Sequence, residues 1–353
     1  AMESTGVYWK PVVNILENKG FEVLVVNAQH IKAVPGRKTD VKDAEWIAKL
    51  LRHGLIKGSF IPAREERELR ELVRYQTSLI EERSREVQRL QKVLEGANIK
   101  ISSVASNVMG ASGRAMIEGL IEGIQDPRVL SKFAKKKLQN KREALEEALT
   151  GLMGPHQRMM LKTQLRHIDY LDQEITRLAE ELEQRKGTDS NFAKSLELLD
   201  SIPGVGERTA QIILVETCGD MGRFPTADHL AAWAGIAPGN NESAGKRKSG
   251  KTKPGNRHLR RILIQAAHAA ARTKGTYLAV QYDRIAARRG SKRAAVAVGH
   301  TILVIVWHIL TKQEPYRDLG ADYFDQRRKA AKIKHHIKEL QQLGIKVDLA
   351  QAV

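Results

Sequence analysis

A chain of 353 residues with 42% apolar residues is long enough to fill the cores of two or three domains. Few aromatics (5%) beside many charges (28%) suit a helix-rich protein, and the single cysteine, Cys218, excludes an internal disulfide and a cysteine-based zinc site, as expected in a reducing cytoplasm. The net charge of +18 argues against an acidic partner-free surface and points to a polyanion, nucleic acid before a membrane.

Residues 1–60 read as α/β. GVYWKPVVNILENKG has helical periodicity and a glycine stop at Gly20. FEVLVVN, Phe21–Asn27, is short and mostly apolar, which predicts a strand. GRKTDVKDAEWIAKLLRHG is a polar entry into a helix that stops at Gly54. Residues 64–96 predict one long helix. Val73, Ile80, Val87 and Leu94 repeat by sevens in it, Leu69 and Leu90 flank them, and Gln76 and Arg83 interrupt the seam. A second long helix is predicted over about 156–186, with Leu161, Ile168, Ile175 and Leu182 at the same spacing. The pair reads as a coiled-coil hairpin, a dimerisation seam or a solvated bundle. GTDSN at 187–191 marks a linker, a compact helical region follows to about 318, and FDQRRKAAKIKHHIKELQQLG predicts a basic terminal helix. The longest apolar run, TILVIVWHIL (Thr301–Leu310), is too short for a bilayer and reads as a buried core helix. The expected fold class is mostly α with an N-terminal α/β part.

The positive charge is concentrated. Between Ala244 and His300 there are 15 Lys or Arg against one acid, Asp283, so this segment carries +14 of the +18. Such a run points to contact with nucleic-acid phosphates. It contains Gly245-Lys-Arg-Lys-Ser-Gly-Lys-Thr252, which spells a phosphate-binding loop of nucleotide hydrolases. A true phosphate loop follows a buried strand and opens directly into a helix. Here IAPGNNESA precedes it, and Pro254 disfavours helix at Lys253, so the next helix is expected near Asn256. The segment reads instead as a flexible basic loop. Lys246, Arg247, Lys248, Lys251, Lys253, Arg257, Arg260 and Arg261 are its candidate phosphate contacts.

Two smaller constellations carry chemistry. In LLDSIPGVGERTAQIIL, Gly204, Val205 and Gly206 form a tight turn between two helices and resemble a helix-hairpin-helix, in which backbone amides approach a DNA phosphate. In KTDVKDA, Asp40 and Asp43 stand three apart at a helix start and share one face, and Glu3 precedes the first helix. Clustered carboxylates are what magnesium takes.

Taken together, MESTGVYWKPV, GRKTDVKDAEWIAKLLRHG, LDSIPGVGERTAQIIL and AGIAPGNNESAGKRK resemble the DEDD-type insertion-sequence transposases, the insertion-sequence one-ten family, with pilin-gene inverting recombinases as relatives. The resemblance runs over nearly the whole chain. It implies a RuvC-like (RNase-H-like) domain over 1–60, long helices over 61–186, a helical transposase domain over 187–320 and a basic terminal helix over 321–353. It also implies Mg2+ held by Glu3, Asp40 and Asp43, and Ser243 as a nucleophile forming a transient phosphoserine link to DNA. Some members are guided by a structured RNA, and a homo-oligomer in the nucleoid of a bacterial or archaeal cytoplasm, with no membrane partner, is implied as well. The family's first Asp lies several dozen residues before the Glu, whereas this sequence begins two residues before Glu3. The expectation is therefore an RNase-H-like sheet without its first strands, and weak cleavage by this chain alone.

Ser243 needs a base, a metal or local positive charge to attack, and Lys246, Arg247 and Lys248 would steady the charge that develops on phosphorus. Two further readings are a catalytically decayed nucleic-acid-binding remnant and a RuvC-like junction nuclease that uses metal and water without the serine.

Overall fold

The computed structural model describes residues 1–4, 6–27, 40–56, 58–186, 190–239 and 241–343. The chain divides into two compact units, Ala1–Arg70 and Glu71–Val353.

In the first unit, β1 (Met2–Glu3) pairs in parallel with β2 (Val25–Val26), Met2 against Val25 and Glu3 against Val26. Parallel neighbours need a crossover, and α1 (Trp9–Glu17) supplies it. The strand expected over Phe21–Asn27 is shorter in the structure because the amide of Phe21 closes the end of α1 on the Leu16 carbonyl (3.1 Å), leaving Phe21 60% exposed. Val26 and Leu50 are buried together, with Trp46, Ile47 and Ile56 against them, where α2 (Asp40–Arg52) meets the sheet. Both expected glycine stops hold: Gly20 and Gly54 take positive φ after α1 and α2. Arg67, near the start of α3 (Arg64–Gly96), donates to Asn14 (2.8 Å) and to both carboxylate oxygens of Glu17 (3.1 and 2.7 Å), which pins α1.

Four short helices follow α3: α4 (Ile101–Val104), α5 (Ala111–Ile121), α6 (Pro127–Ser131) and α7 (Arg142–Ala148). The second long helix is α8 (Pro155–Lys186). Only the long helices were legible in the sequence, because helices of four to eleven residues are too short to sustain a periodicity. The short ones wrap the C-terminal half of α3 and the N-terminal half of α8 around one core that holds Leu90, Leu94, Met116, Ile117, Leu145, Leu161 and Ile168. Each fully buried Leu or Ile there contributes roughly 1.5–3 kcal/mol relative to exposure.

The two heptad seams are joined within this chain. Gln76, 3% exposed, donates to the Ile175 carbonyl (3.2 Å), Arg83 pairs with Asp172, and His167 lies 3.7 Å from Glu82. Residue numbers rise along α3 as they fall along α8, so the helices run antiparallel. The two polar interruptions of the seam are thus its cross-links to α8. A coiled-coil hairpin accounts for both heptads without a second copy.

Of the expected linker, 187–189 lie outside the described residues. The C-terminal region contains α9 (Ser190–Asp200), α10 (Glu207–Thr217), α11 (Ala227–Trp233), the strands β3 (Asn241–Ser243) and β4 (Lys246–Ser249), α12 (Arg257–Ala270), α13 (Tyr277–Arg289), α14 (Ser291–Lys312) and the terminal α15 (Tyr323–Gln342). The apolar run at Thr301–Leu310 belongs to the longer α14. By length and composition α14 is the one helix among the described residues apolar enough to cross a membrane. Its Ala294, Ala295, Val298, Ile302, Leu303 and Val306 are nevertheless buried in the protein core, where α14 packs against α9, α11, α12 and α13. The chain is therefore mostly helical with two two-stranded sheets among the described residues.

Candidate nucleic-acid interface

The basic segment expected to be a flexible loop is a β-hairpin. Strands β3 and β4 pair antiparallel, with Ser243 opposite Lys246 and Glu242 opposite Arg247. The two residues between them, Ala244 (φ 51°) and Gly245 (φ 72°), both have positive φ, the mark of a type I′ turn. An Ala-Gly pair flanked by NES and KRKS was the available signal, and it is weak because alanine disfavours this conformation. Ser243 is therefore the last strand residue before a tight turn, at the hairpin tip. The side chains of Ser243, Lys246, Arg247 and Lys248 lie outside the described residues. Helix α12 begins only at Arg257, with Asn256 as its cap accepting from the His258 and Leu259 amides at 3.1 Å each. A hairpin where the helix should open, and a helix delayed to residue 257, are incompatible with a nucleotide phosphate loop.

The segment after β4 is held by backbone packing. Gly235, at the end of α11, and Gly255 lie back to back: a Cβ on Gly235 would meet the Gly255 nitrogen at 2.7 Å, and one on Gly255 would meet the Gly235 nitrogen at 2.3 Å. Only two glycines permit that approach. Arg260 ties the same strap down, donating to the Gly235 carbonyl and to Thr252 Oγ1, both at 2.6 Å.

Beside this strap lies a cleft of about 1000 Å3. Ser249–Thr252 form one wall and the corner between α13 and α14 the other, with Ile236, Pro238, Val296 and Ala297 also lining it. Lys251, Arg260, Arg289, Lys292, Arg293 and His300 line it, and no Asp or Glu does among the described residues. Walls of one sign with no counter-charge focus an attractive field for anions. Of the sequence-derived phosphate contacts, the structure brings Lys251 and Arg260 into this cleft. Lys253 and Arg257 are exposed outside it, and Arg261 is ion-paired with Glu81 on α3. Arg289, Lys292, Arg293 and His300 were missed as site residues. They stand some forty residues further on, and only folding brings them opposite the strap.

The turn between α9 and α10 divides its three candidate residues. Gly204 (φ 85°) packs on α12, where a Cβ would meet the Ala266 carbonyl oxygen and the Ala270 nitrogen at 2.4 Å. Val205 is buried in the core. Gly206 is exposed, with open space around it, and caps α10.

A smaller cavity of about 270 Å3 opens between α3, α10 and α12, lined by Arg74, Arg208, Glu216, His258 and Arg261 among others. Arg74 clasps the fully buried Glu216 through two bonds of 2.7 Å, and Asn256 Nδ2 adds a third at 2.6 Å. Arg208 donates to Gln76 Oε1 (2.8 Å) and Thr77 Oγ1 (3.2 Å), and burial lowers its pKa. Burial, then the neighbouring Arg74 guanidinium, lowers the pKa of His258 as well.

In the first unit, Glu3 lies on β1, and Asp40 and Asp43 stand in the first turn of α2. The side chains of both aspartates lie outside the described residues. No group of three metal-ligating side chains is assembled among the described residues. The donor set itself, three carboxylates on a strand and a helix start, is the hard-oxygen chemistry that suits magnesium.

Comparison with known proteins bears on both units. A transposase family model of the DEDD IS110 type matches residues 1–99, and the transposase model of the IS116/IS110/IS902 family matches residues 196–283. A transposase for the insertion sequence element IS1111A from Coxiella burnetii is 36% identical over 123 residues, 34% of this chain and 34% of that protein. A putative transposase from Sinorhizobium fredii is 26% identical over 313 residues, 86% of this chain and 70% of that one. A pilin gene-inverting protein from Moraxella bovis is 25% identical over 217 residues, 54% of this chain and 66% of that one. The match thus spans about a third of the Coxiella relative's length. With the two family models together covering more than half of the sequence, the chain belongs to the IS110 family of transposases.

Proposed function

We propose that this protein is a DNA recombinase of a mobile insertion sequence, which cuts and rejoins DNA with Ser243 as nucleophile. The observation that carries the reading is the position of Ser243 at the tip of a tight basic hairpin, next in sequence to a strap that walls a cleft with basic and no acidic side chains among its described lining residues. In the cutting step a bond forms between Ser243 Oγ and phosphorus, the serine proton departs, and the P–O bond of the strand breaks to leave a strand hydroxyl. Rejoining is the reverse attack by a strand hydroxyl on the phosphoserine. Splitting one transesterification into two through a covalent intermediate retains the energy of the phosphodiester. The backbone opposite Ser243 belongs to Lys246, whose charge, with those of Arg247 and Lys248, would favour the five-coordinate phosphorus.

Glu3, Asp40 and Asp43 would hold the divalent metal, in a first unit read as RuvC-like; when bound, the ion would neutralise charge on the phosphoryl oxygens. The exposed Gly206 and the amide end of α10 would meet a backbone phosphate in a helix-hairpin-helix manner, while Gly204 and Val205 hold the turn in place. DNA is the primary partner, and a structured guide RNA and a homo-oligomer in a bacterial cytoplasm complete the reading.

The test is a denaturing gel of the protein incubated with element-end DNA and magnesium, with and without RNA encoded beside the gene. A covalent protein–DNA adduct that disappears in Ser243→Ala, while DNA binding persists, is expected. Cleavage without an adduct would replace the serine step with metal-and-water hydrolysis, and binding without cleavage in either protein would leave a binding remnant.

A further inference from the structure

The cleft beneath the serine hairpin has a shape that duplex binding alone does not explain. A duplex presents its phosphates on a convex outer surface and keeps its bases stacked inside. It would meet Lys292, Arg293 and Lys251 at the rim and leave the interior empty. That interior has the size of the largest small-ligand sites, about 300–1,000 Å3, and Ile236, Pro238, Val296 and Ala297 give it an apolar lining.

We propose that this cleft seats a short single-stranded segment of nucleic acid, with the phosphodiester backbone along Lys251, Arg289, Lys292 and Arg293 and the unstacked bases against the apolar lining. The argument combines three features. The cations come from separate elements, Lys251 on the strap and the other three at the α13–α14 corner, so they face a chain passing between them. None of these four has a carboxylate partner among the described residues, unlike Arg261 and Arg284, which pair with Glu81 and Asp325. Finally, the lining beneath them is apolar, and a base face taken out of its stack is the part of a nucleotide that gains from leaving water. Ser249 and Gly250 join this wall directly to β4, so a strand in the cleft passes the base of the hairpin that carries Ser243. This inference rests on the nucleic-acid reading above but not on the serine chemistry.

The experiment measures binding of short fluorescent oligonucleotides by anisotropy, as single-stranded DNA, single-stranded RNA and DNA duplex of one sequence, over a salt series. Two variants are compared with the parent. Lys292→Ala with Arg293→Ala removes two exposed charges, and Ala297→Phe fills the interior without touching charge. Circular-dichroism melts confirm that each is folded. The double variant is expected to weaken single-strand binding about tenfold and to reduce the magnitude of the single-strand salt slope by about 1.4. Ala297→Phe is expected to weaken single-strand binding while leaving duplex binding unchanged. The DNA and RNA arms show which strand the cleft prefers. Unchanged single-strand affinity in the double variant overturns the proposal, as does a loss in Ala297→Phe that is equal for strand and duplex. If Ala297→Phe does not fold, the milder Ala297→Leu takes its place, and a loss equal for strand and duplex again overturns the proposal. Strand binding that responds to these variants in a protein forming no Ser243 adduct would sink the recombinase reading and leave this inference standing.

Discussion

Arg74 and Glu216, 142 residues apart in sequence, meet in a two-point ion pair whose carboxylate is fully buried. The pair fastens the long helix α3 to α10, and Asn256 extends it to the cap of α12, the helix that follows the basic strap. Helix hairpin and cleft scaffold are therefore one mechanical piece. Breaking such a pair from one side leaves an uncompensated buried charge, which costs more than the pair contributes when intact. Arg74→Met is expected to destabilise the protein by about 3–5 kcal/mol, and Glu216→Gln by clearly less, since it removes the charge that needs a partner. Urea unfolding of the two variants checks this order; equal losses would mean that Glu216 is not the buried liability.

The I′ turn at Ala244-Gly245 gives a separate prediction. Alanine in left-handed geometry is disfavoured by roughly 1–2 kcal/mol. Ala244→Gly is expected to relieve that strain and raise hairpin stability, and Ala244→Val to worsen it. Hydrogen exchange of the Lys246 amide reads hairpin stability directly. Equal protection in all three proteins would place no strain at residue 244.

Gly204 tests the packing of the α9–α10 turn. Its positive φ and the 2.4 Å approach to the α12 backbone penalise any side chain. Gly204→Ala is expected to cost more than about 1 kcal/mol, whereas Gly206→Ala, with open space around it, is expected to leave stability nearly unchanged and to weaken DNA binding. Thermal melts of both variants and a duplex-binding titration of Gly206→Ala separate the structural glycine from the exposed one.

His258 makes stability depend on pH. In an unfolded chain it titrates near 6.5, and burial together with Arg74, Arg257 and Arg261 lowers that value in the fold, with Glu216 opposing. As pH falls below about 6.5 the unfolded chain takes the proton first, so the folded state loses stability until the folded imidazole also protonates. His258→Gln is expected to flatten this part of the stability profile and to leave stability above neutrality little changed. Parallel slopes for parent and variant between pH 6.5 and more acidic values would remove His258 from the account.

Chelation addresses the carboxylates. Removing divalent metal is expected to abolish strand cleavage while leaving cleft binding intact, because the cleft's cations need no ion. Loss of both together would mean that metal supports the fold or the DNA contact itself.

The sequence by itself determined the long helices, both glycine stops, the start of α12 at its Asn256 cap and the concentration of charge after Ala244. Each of these depends on local physics: periodicity over many turns, a glycine's backbone freedom, a cap two and three residues from its amides, and charge that needs no fold to be counted. Gln76 and Arg83 were visible as breaks in a heptad, but their meaning lay in Ile175 and Asp172, about ninety to a hundred residues away. Only the tertiary structure turned the basic loop into a hairpin, since Ala244 argues locally against the turn it makes. Only the tertiary structure brought the α13–α14 corner opposite the strap, because one-signed charges repel and nothing in their spacing reveals that buried apolar faces of α12 and α14 force them to share a wall. The cleft is the product of that compulsion: the core decides where the helices lie, and the cations go where the core puts them.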